Sequence, residues 1–251
     1  MPGEEPLGFV SGALAERAEA AIRQADGSLF EKETQAEMGD PVLSVVLVEE
    51  NEWWFGLHQH STWHVPFSGG APKIILPAEA PSRAYLKLEE GILFGHLPVK
   101  AGDVAVEIGS APGGASYALL HRGLKVIGID PAEMDKRLLK HPAFTHIARP
   151  VASVPREDLP PRVDWLLLDM NVAPSITLYQ VDRLATRLSD TLLGVLLTIK
   201  LNEWKTAREI PDMLNHIRAM GITRIRARQL YHNRQEIFIC GLTRKGLLRQ
   251  S

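Results

Sequence analysis

The chain has 251 residues, 45% of them hydrophobic, and a formal net charge of -2 at pH 7. This length and composition allow a buried core and exclude a disordered tail or a mini-protein. No stretch approaches the roughly 20 consecutive apolar residues of a membrane span. The first ten residues also lack the basic and apolar segments of a secretory signal. We therefore expect a cytoplasmic protein without a membrane partner.

The single cysteine, Cys240, excludes an intramolecular disulfide and a cysteine-rich zinc site. It lies in the apolar run EIFIC, which predicts a small core residue.

Charge is divided unevenly along the chain. Residues 1–80 carry 4 Lys+Arg and 13 Asp+Glu, a net of -9, whereas residues 81–251 carry 24 and 17, a net of +7. The second part could therefore approach a polyanion, and the first part would be repelled by one. Part of the positive charge is concentrated at Arg224, Arg226, Arg228 and Arg234. The first three alternate and should share one face of a strand, for which a solvated surface is favoured over RNA contact.

The first 80 residues predict a small acidic α+β domain. Helical spacing is present over residues 14–22, and two strand-like runs, 42–48 and 53–57, flank a polar turn, which is typical of a hairpin. Glycines and prolines then mark a connection, within which residues 74–76 are predicted to form a short strand.

Residues 81–251 alternate between short apolar runs and stretches of helical length. This pattern predicts a mainly parallel sheet with helices on both faces. The expected parallel strands are residues 104–108, 126–129, 165–168 and 195–199, and a terminal antiparallel hairpin is expected from 224–228 and 236–240. An α/β fold with such a hairpin is typical of class I (Rossmann-like) methyltransferases.

A glycine-rich loop follows the first of these strands and precedes a helix predicted over residues 115–122. Such a loop lets the backbone approach a ligand and leaves helix N-terminal amides free to bind it. The candidate cofactor-binding residues are Gly109, Ser110, Ala111, Pro112, Gly113 and Gly114. Asp130, at the end of the next strand, is placed to hold a nucleoside ribose. The loop does not have the G-x-G-x-x-G spacing of a dinucleotide site.

Five segments together resemble the FtsJ-type RNA 2′-O-methyltransferases. They are SRAYLKLEE at 82–90, SAPGG at 110–114, LDM at 168–170, IKL at 199–201 and QLYHNRQE at 229–236. The likeness is strongest to bacterial members that methylate a cytidine of 23S ribosomal RNA. It implies S-adenosyl-L-methionine as cofactor, RNA as partner and no metal.

The resemblance also implies a catalytic tetrad of Lys87, Asp169, Lys200 and Glu236. A lysine held partly neutral by burial and a second cation can accept the proton of a ribose hydroxyl, and Lys200 is the expected base. Lys87 would supply the second charge, and the two carboxylates would hold the amines in place, with Asp169 also bordering the cofactor. Taken singly, Lys87 also fits a solvated basic face and Asp169 a helix cap. Lys200 and Glu236 also fit an ordinary ion pair.

The chain departs from the family pattern in two regions. Ala115 stands where relatives usually have an aromatic residue, and no acid lies around Arg149 and Pro150. We therefore expect an adenine pocket that is lined differently. Residues 1–80 would be a reduced counterpart of the family's RNA-binding, THUMP-like extension.

The first part of the chain contains two further notable groups of residues. His58, His60 and His64 match no familiar ligand spacing, so a loop or hairpin surface is favoured over a metal site. Adjacent Trp53 and Trp54 should point to opposite faces of a strand, one toward the core and one toward a partner.

Two other functions remain open at this point. A nicotinamide-dependent oxidoreductase is disfavoured by the loop spacing. A non-catalytic RNA-binding or ribosome assembly factor would retain the fold without turnover.

Overall fold

A computed structural model describes residues 13–25, 36–49, 51–65, 67, 70–201 and 203–250. The chain divides into two compact units, Met1–Lys73 and Ile74–Ser251. Every helix among these residues is too short or too polar to cross a membrane.

The first unit contains a helix and a hairpin, as predicted. Helix α1 spans Ala13–Ala25, and strands β1 (Pro41–Glu49) and β2 (Glu52–Gln59) pair antiparallel. Trp54 is 61% exposed whereas Trp53 is half-buried, so the two indoles differ as strand alternation requires.

The second unit is built on a seven-stranded sheet with the order β5-β4-β3-β6-β7-β9-β8. The five parallel strands are β3 (Val104–Ile108), β4 (Lys125–Ile129), β5 (Phe144–Ile147), β6 (Trp165–Asp169) and β7 (Gly194–Lys200). Strand β9 (Glu236–Thr243) runs antiparallel to both β7 and β8 (Ile222–Arg228). The predicted α/β fold, with a mainly parallel sheet and a terminal antiparallel hairpin, is confirmed.

Helices cover both faces of this sheet. They are α2 (Ala84–Gly95), α3 (Gly114–His121), α4 (Lys136–Leu139), α5 (Pro174–Leu188), α6 (Trp204–Arg208), α7 (Ile210–Ala219) and α8 (Arg244–Gln250). Two short 3₁₀ turns lie at Val151–Ser153 and Arg156–Asp158. Alternate residues of β3 enter different cores: Ala105 packs in the cluster that contains α2 and α3, and Val106 packs in the cluster that contains α5 and α7. The period-2 alternation of the central strands thus supplies two hydrophobic layers.

One local strand prediction was wrong, and one strand was missed. Residues 74–76 form no strand, because Pro72 and Pro77 flank the segment and neither can donate a backbone hydrogen bond to a ladder. Strand β5 was not predicted, since its sequence FTHI has too few apolar residues to stand out.

Helix α2 lies unusually close to β9. A methyl group at Gly91 would overlap the Phe238 ring, and one at Gly95 would lie 2.8 Å from Cys240 Sγ. Cys240 is 1% exposed, which confirms its prediction as a core residue. The missing side chains on α2 therefore set the distance between this helix and the sheet.

The arginines of β8 are covered by helices rather than solvated. Arg226 is buried, donates a hydrogen bond to the Phe94 carbonyl (2.7 Å) and lies over the Phe94 ring. Arg228 lies over the same ring, and Arg224 donates to the Gln250 side chain. The prediction of a solvated strand face was therefore wrong for Arg226, because α2 and α8 pack on that side of β8.

Candidate active site

Four predicted catalytic residues come from four separate elements. Lys87 lies in the first turn of α2, Asp169 ends β6, Lys200 ends β7 and Glu236 begins β9. Parallel β6 and β7 end at one edge of the sheet, and antiparallel β9 starts at that edge, with Lys200 directly opposite Glu236. The sheet topology thus brings these positions together.

The four side chains form a closed ring in which cations and anions alternate. Lys87 Nζ lies 2.6 Å from Asp169 Oδ2 and 3.3 Å from Glu236 Oε2. Lys200 Nζ donates a hydrogen bond to Glu236 Oε1 and lies 3.8 Å from Asp169 Oδ1. Side-chain exposure is between 10% and 24% for all four residues, so the ring is mostly shielded from water.

The ring stabilises its own charges. Burial alone would lower the pKa of Lys87, but the carboxylates of Asp169 and Glu236 outweigh it and raise that pKa. Burial alone would raise the pKa of Glu236, but Lys200 and Lys87 outweigh it and lower that pKa. Lys87 is therefore a cation and Glu236 an anion at neutral pH, and neither lies on a solvated basic face.

Asp169 does not cap the helix that follows its strand. The N-cap of α5, the next helix after β6, is Ala173, and no side chain caps it. Asp169 instead bonds to Lys87. The carboxylate is thus directed to the amine, across the edge of the sheet.

The predicted cofactor loop runs directly beside this ring. Gly109 has φ 78°, and a methyl group there would overlap the backbone carbonyl of Asp169. Gly113, with φ 117°, caps the N-terminus of α3. Both glycines adopt backbone conformations that other residues rarely accept; Gly109 lets the loop approach β6, and Gly113 lets it approach Leu138.

Asp130 holds the loop in position. Its Oδ2 accepts a hydrogen bond from the Ala111 amide (3.1 Å), and its Oδ1 accepts one from the Ala132 amide (2.8 Å). A carboxylate oxygen has capacity for more than one bond, so the residue can also accept from a hydroxyl. Its predicted ribose contact remains a proposal.

Other loop residues have mainly structural surroundings. Ser110 is 2% exposed and its Oγ contacts Met134 Sδ at 3.7 Å, so its hydroxyl faces the interior. Pro112 contributes its carbonyl to the Asp135 amide. The Ser110 side chain and the Pro112 carbonyl are therefore engaged within the protein.

The structure shows the surroundings of the two positions, Ala115 and Arg149, where the chain departs from the family pattern. Ala115 is buried and lines a small cavity together with Lys87 and Asp169. Arg149 forms an ion pair with Asp158, so an acid does reach this region in space, although it lies nine residues away in sequence.

Glu107 is a functional candidate that the sequence reasoning did not single out. It lines the same cavity as Lys87 and Asp169, is 3% exposed, and accepts a 2.5 Å hydrogen bond from Ser116 Oγ. Burial raises the pKa of Glu107 to about 8. The available signal was an acid within the otherwise apolar strand VAVEI.

Glu90 is a second such residue. It is 5% exposed and accepts hydrogen bonds from the Tyr231 amide (2.7 Å), the His232 amide (2.9 Å) and, at 2.8 Å, the neighbouring His232 Nδ1. Glu90 lies one turn after Lys87 on α2, and the turn that it holds leads into Glu236. It therefore ties together the segments that carry two members of the ring.

Comparison with known proteins places these features in a family. The sequence profile of the FtsJ-like methyltransferases matches residues 80–210. The chain is 30% identical over 227 residues to the ribosomal RNA large subunit methyltransferase M of Laribacter hongkongensis, covering 82% of this chain and 58% of that protein. It is 32% identical over 190 residues to the protein of that name from Xylella fastidiosa, covering 69% and 50%.

The chain spans about half the length of the curated relatives it matches. Among solved structures, the fibrillarin pre-rRNA processing protein of Methanococcus jannaschii has a TM-score of 0.51 and 13% identity, covering 81% of this chain and 88% of that one. That likeness supports the fold alone. The profile match and the sequence relatives show that the chain belongs to the FtsJ-like methyltransferase family.

Proposed function

We propose that this protein is an S-adenosyl-L-methionine-dependent RNA methyltransferase that modifies a ribose 2′-hydroxyl. The expected substrate is a cytidine of 23S ribosomal RNA or its precursor, and the expected location is the cytoplasm. The observation that carries this proposal is the ring of Lys87, Asp169, Lys200 and Glu236 beside a glycine-rich loop. The family membership and the names of the relatives support it.

The cofactor fits the residues present. Gly109 places no side chain in the space beside Asp169, and Asp130 offers oxygens to a ribose diol. Residues 109–114 and Asp130 would hold the cofactor, which supplies an electrophilic methyl group on its sulfonium.

The ring would activate the attacking hydroxyl. Lys200 would be the base that accepts the hydroxyl proton, and the cation of Lys87 would help to orient the oxygen. Asp169 and Glu236 would hold both amines at fixed positions before the reaction. Transfer of the cofactor's methyl group to the hydroxyl oxygen would leave the hydroxyl proton on Lys200.

A non-catalytic RNA-binding or assembly factor is the alternative. A binding module would not require two lysines and two carboxylates to be shielded together, since burying charges is costly unless they are paired. A nicotinamide oxidoreductase is disfavoured because the loop lacks the required glycine spacing.

The test is methyl transfer from tritiated S-adenosyl-L-methionine to total RNA and pre-ribosomal particles from a host that lacks its own copy. Lys200→Ala is compared with Lys205→Ala, whose side chain is 73% exposed and pairs with Glu203. We expect alkali-resistant label for the wild type and for Lys205→Ala, and loss of label for Lys200→Ala. A wild type that binds the cofactor yet labels neither RNA nor particles would support the binding factor instead.

A further inference from the structure

We propose that His58, His60 and His64 form a binding site for a divalent late transition metal, of which Zn²⁺ is the appropriate probe. One candidate ligand nitrogen from each ring lies within 4.8 Å of the other two. The site belongs to the first unit of the chain and does not depend on the proposed methyl transfer.

The local fold explains why the three rings converge. His58 lies near the end of β2 and His60 directly after it, so the two are on the same side of the extended chain. The His64 amide donates to the Ser61 carbonyl (2.9 Å), and this tight turn returns the third ring to the other two. The His64 ring centroid lies 4.3 Å from that of His58 and 5.8 Å from that of His60.

The backbone around the first two ligands is held by the hairpin. His60 exchanges backbone hydrogen bonds with the segment before β1: its amide donates to Asp40 (2.8 Å), and its carbonyl accepts from Gly39 (2.9 Å). His60 is also 9% exposed, so its ring has little freedom. This pre-organisation reduces the entropy cost of gathering the ligands.

Ser61 is placed to orient the third ring. Its amide donates a hydrogen bond to His64 Nδ1 (3.0 Å), and its hydroxyl lies 3.0 Å from the same nitrogen. These contacts hold the His64 ring within the turn, next to the rings of His58 and His60.

The ligand set selects the class of metal. Imidazole nitrogens suit Zn²⁺ and its neighbours, whereas Mg²⁺ and Ca²⁺ require oxygen ligands. At metal–nitrogen distances of about 2.05 Å, tetrahedral ligands lie about 3.3 Å apart, so nitrogens that lie within 4.8 Å of one another need to close by at most about 1.5 Å. Three histidines would leave a fourth position for water or another ligand.

The sequence alone disfavoured a metal here because the spacing matches no familiar motif. The third ligand reaches the site only through the turn between Ser61 and His64, which residue spacing does not reveal. The predicted consequence of binding is structural: the ion would fasten this turn to the end of β2.

The test is Zn²⁺ titration of the full chain by calorimetry, together with the visible spectrum of the Co²⁺-loaded protein. We expect one saturable site, the intense absorption of four-coordinate Co²⁺, and no comparable binding of Mg²⁺. His58→Ala removes one of the three ligands and should weaken Zn²⁺ binding more than about 100-fold. His216→Ala, which removes an exposed histidine on α7, is the matched control and should bind like the wild type.

Circular dichroism of each variant checks that the fold is retained. Equal Zn²⁺ affinity in the wild type and His58→Ala would overturn the proposal, as would the absence of a four-coordinate Co²⁺ spectrum. A stoichiometry that falls equally in His216→Ala would indicate scattered surface histidines and would also overturn it.

Discussion

Two clusters of positive charge lie beside strand β9, yet their surroundings are opposite. At the start of β9, Lys87 and Lys200 alternate with two carboxylates, and the pKa of Lys87 is raised by those acids despite its burial. Further along β8, burial and the nearby Arg224 lower the pKa of Arg226, which is satisfied by a carbonyl and an aromatic ring. Strand ends at the sheet edge can meet acids from several elements, whereas a strand face meets whatever helix covers it.

Removing one acid of the ring should have the largest effect on the contrast between these two clusters. We expect Asp169→Asn to lower the rate of methyl transfer by about 10²- to 10⁴-fold, because Lys87 loses its shortest ion pair and the lysines lose their fixed geometry. The measurement is initial rate with tritiated cofactor. Asp212→Asn, an exposed acid on α7, is the control, and an unchanged rate in Asp169→Asn would contradict the assignment.

Within the described part of the chain, Glu107 is a buried acid without a paired cation, and it should make the stability of the protein depend on pH. Burial raises the folded-state pKa of Glu107 to about 8 from an ordinary value of 4.5, so between these pH values the folded state binds a proton that the unfolded state has lost. Glu107 therefore lowers the free energy of unfolding as the pH rises through this window, by on the order of a few kcal/mol. Glu107→Gln should flatten that decline in denaturant titrations at pH 5 to 9. The same slope in both proteins would contradict the prediction.

Substitutions among the arginines of β8 should change the stability of the protein rather than its methyl-transfer activity. Arg226→Met leaves the Phe94 carbonyl without this donor and should lower the free energy of unfolding by about 1 to 3 kcal/mol. Arg234→Met, at an exposed position in the following turn, should change it by less than about 0.5 kcal/mol. Urea unfolding compares the two, and equal effects would show that Arg226 is not a structural residue.

The smallest expected effect belongs to the residue that supports the ring indirectly. Glu90→Gln weakens the three bonds that hold Tyr231 and His232, so Glu236 should be less well aligned. We expect kcat to fall about tenfold while cofactor binding is unchanged. Glu89→Gln, one position away and paired with Arg122, is the control. A loss of cofactor affinity without a change in kcat would contradict a positioning role.

The sequence predicted the central part of the fold because its strands are apolar and its helices are of regular length. Strand β3 was predicted at its observed bounds, and the tetrad positions were proposed from the resemblance to the FtsJ-type family. Polar FTHI concealed β5, and flanking prolines prevented a strand at 74–76. Such contacts as Glu90 with His232, or Arg226 with Phe94, join residues more than 130 positions apart and leave no local pattern.

Where α2 contacts β9, the contact positions along the helix and along the strand have nearly the same spacing. Positions 87, 91 and 95 are spaced by four along α2, and the partners Glu236, Phe238 and Cys240 are spaced by two along β9. Four helical residues advance about 6 Å and two strand residues about 7 Å, so the three pairs stay nearly in step. A substitution at Gly91 or Gly95 would therefore push α2 outward and shorten the effective reach of Lys87. Two positions with no functional group thus help to determine where a charged amine can act.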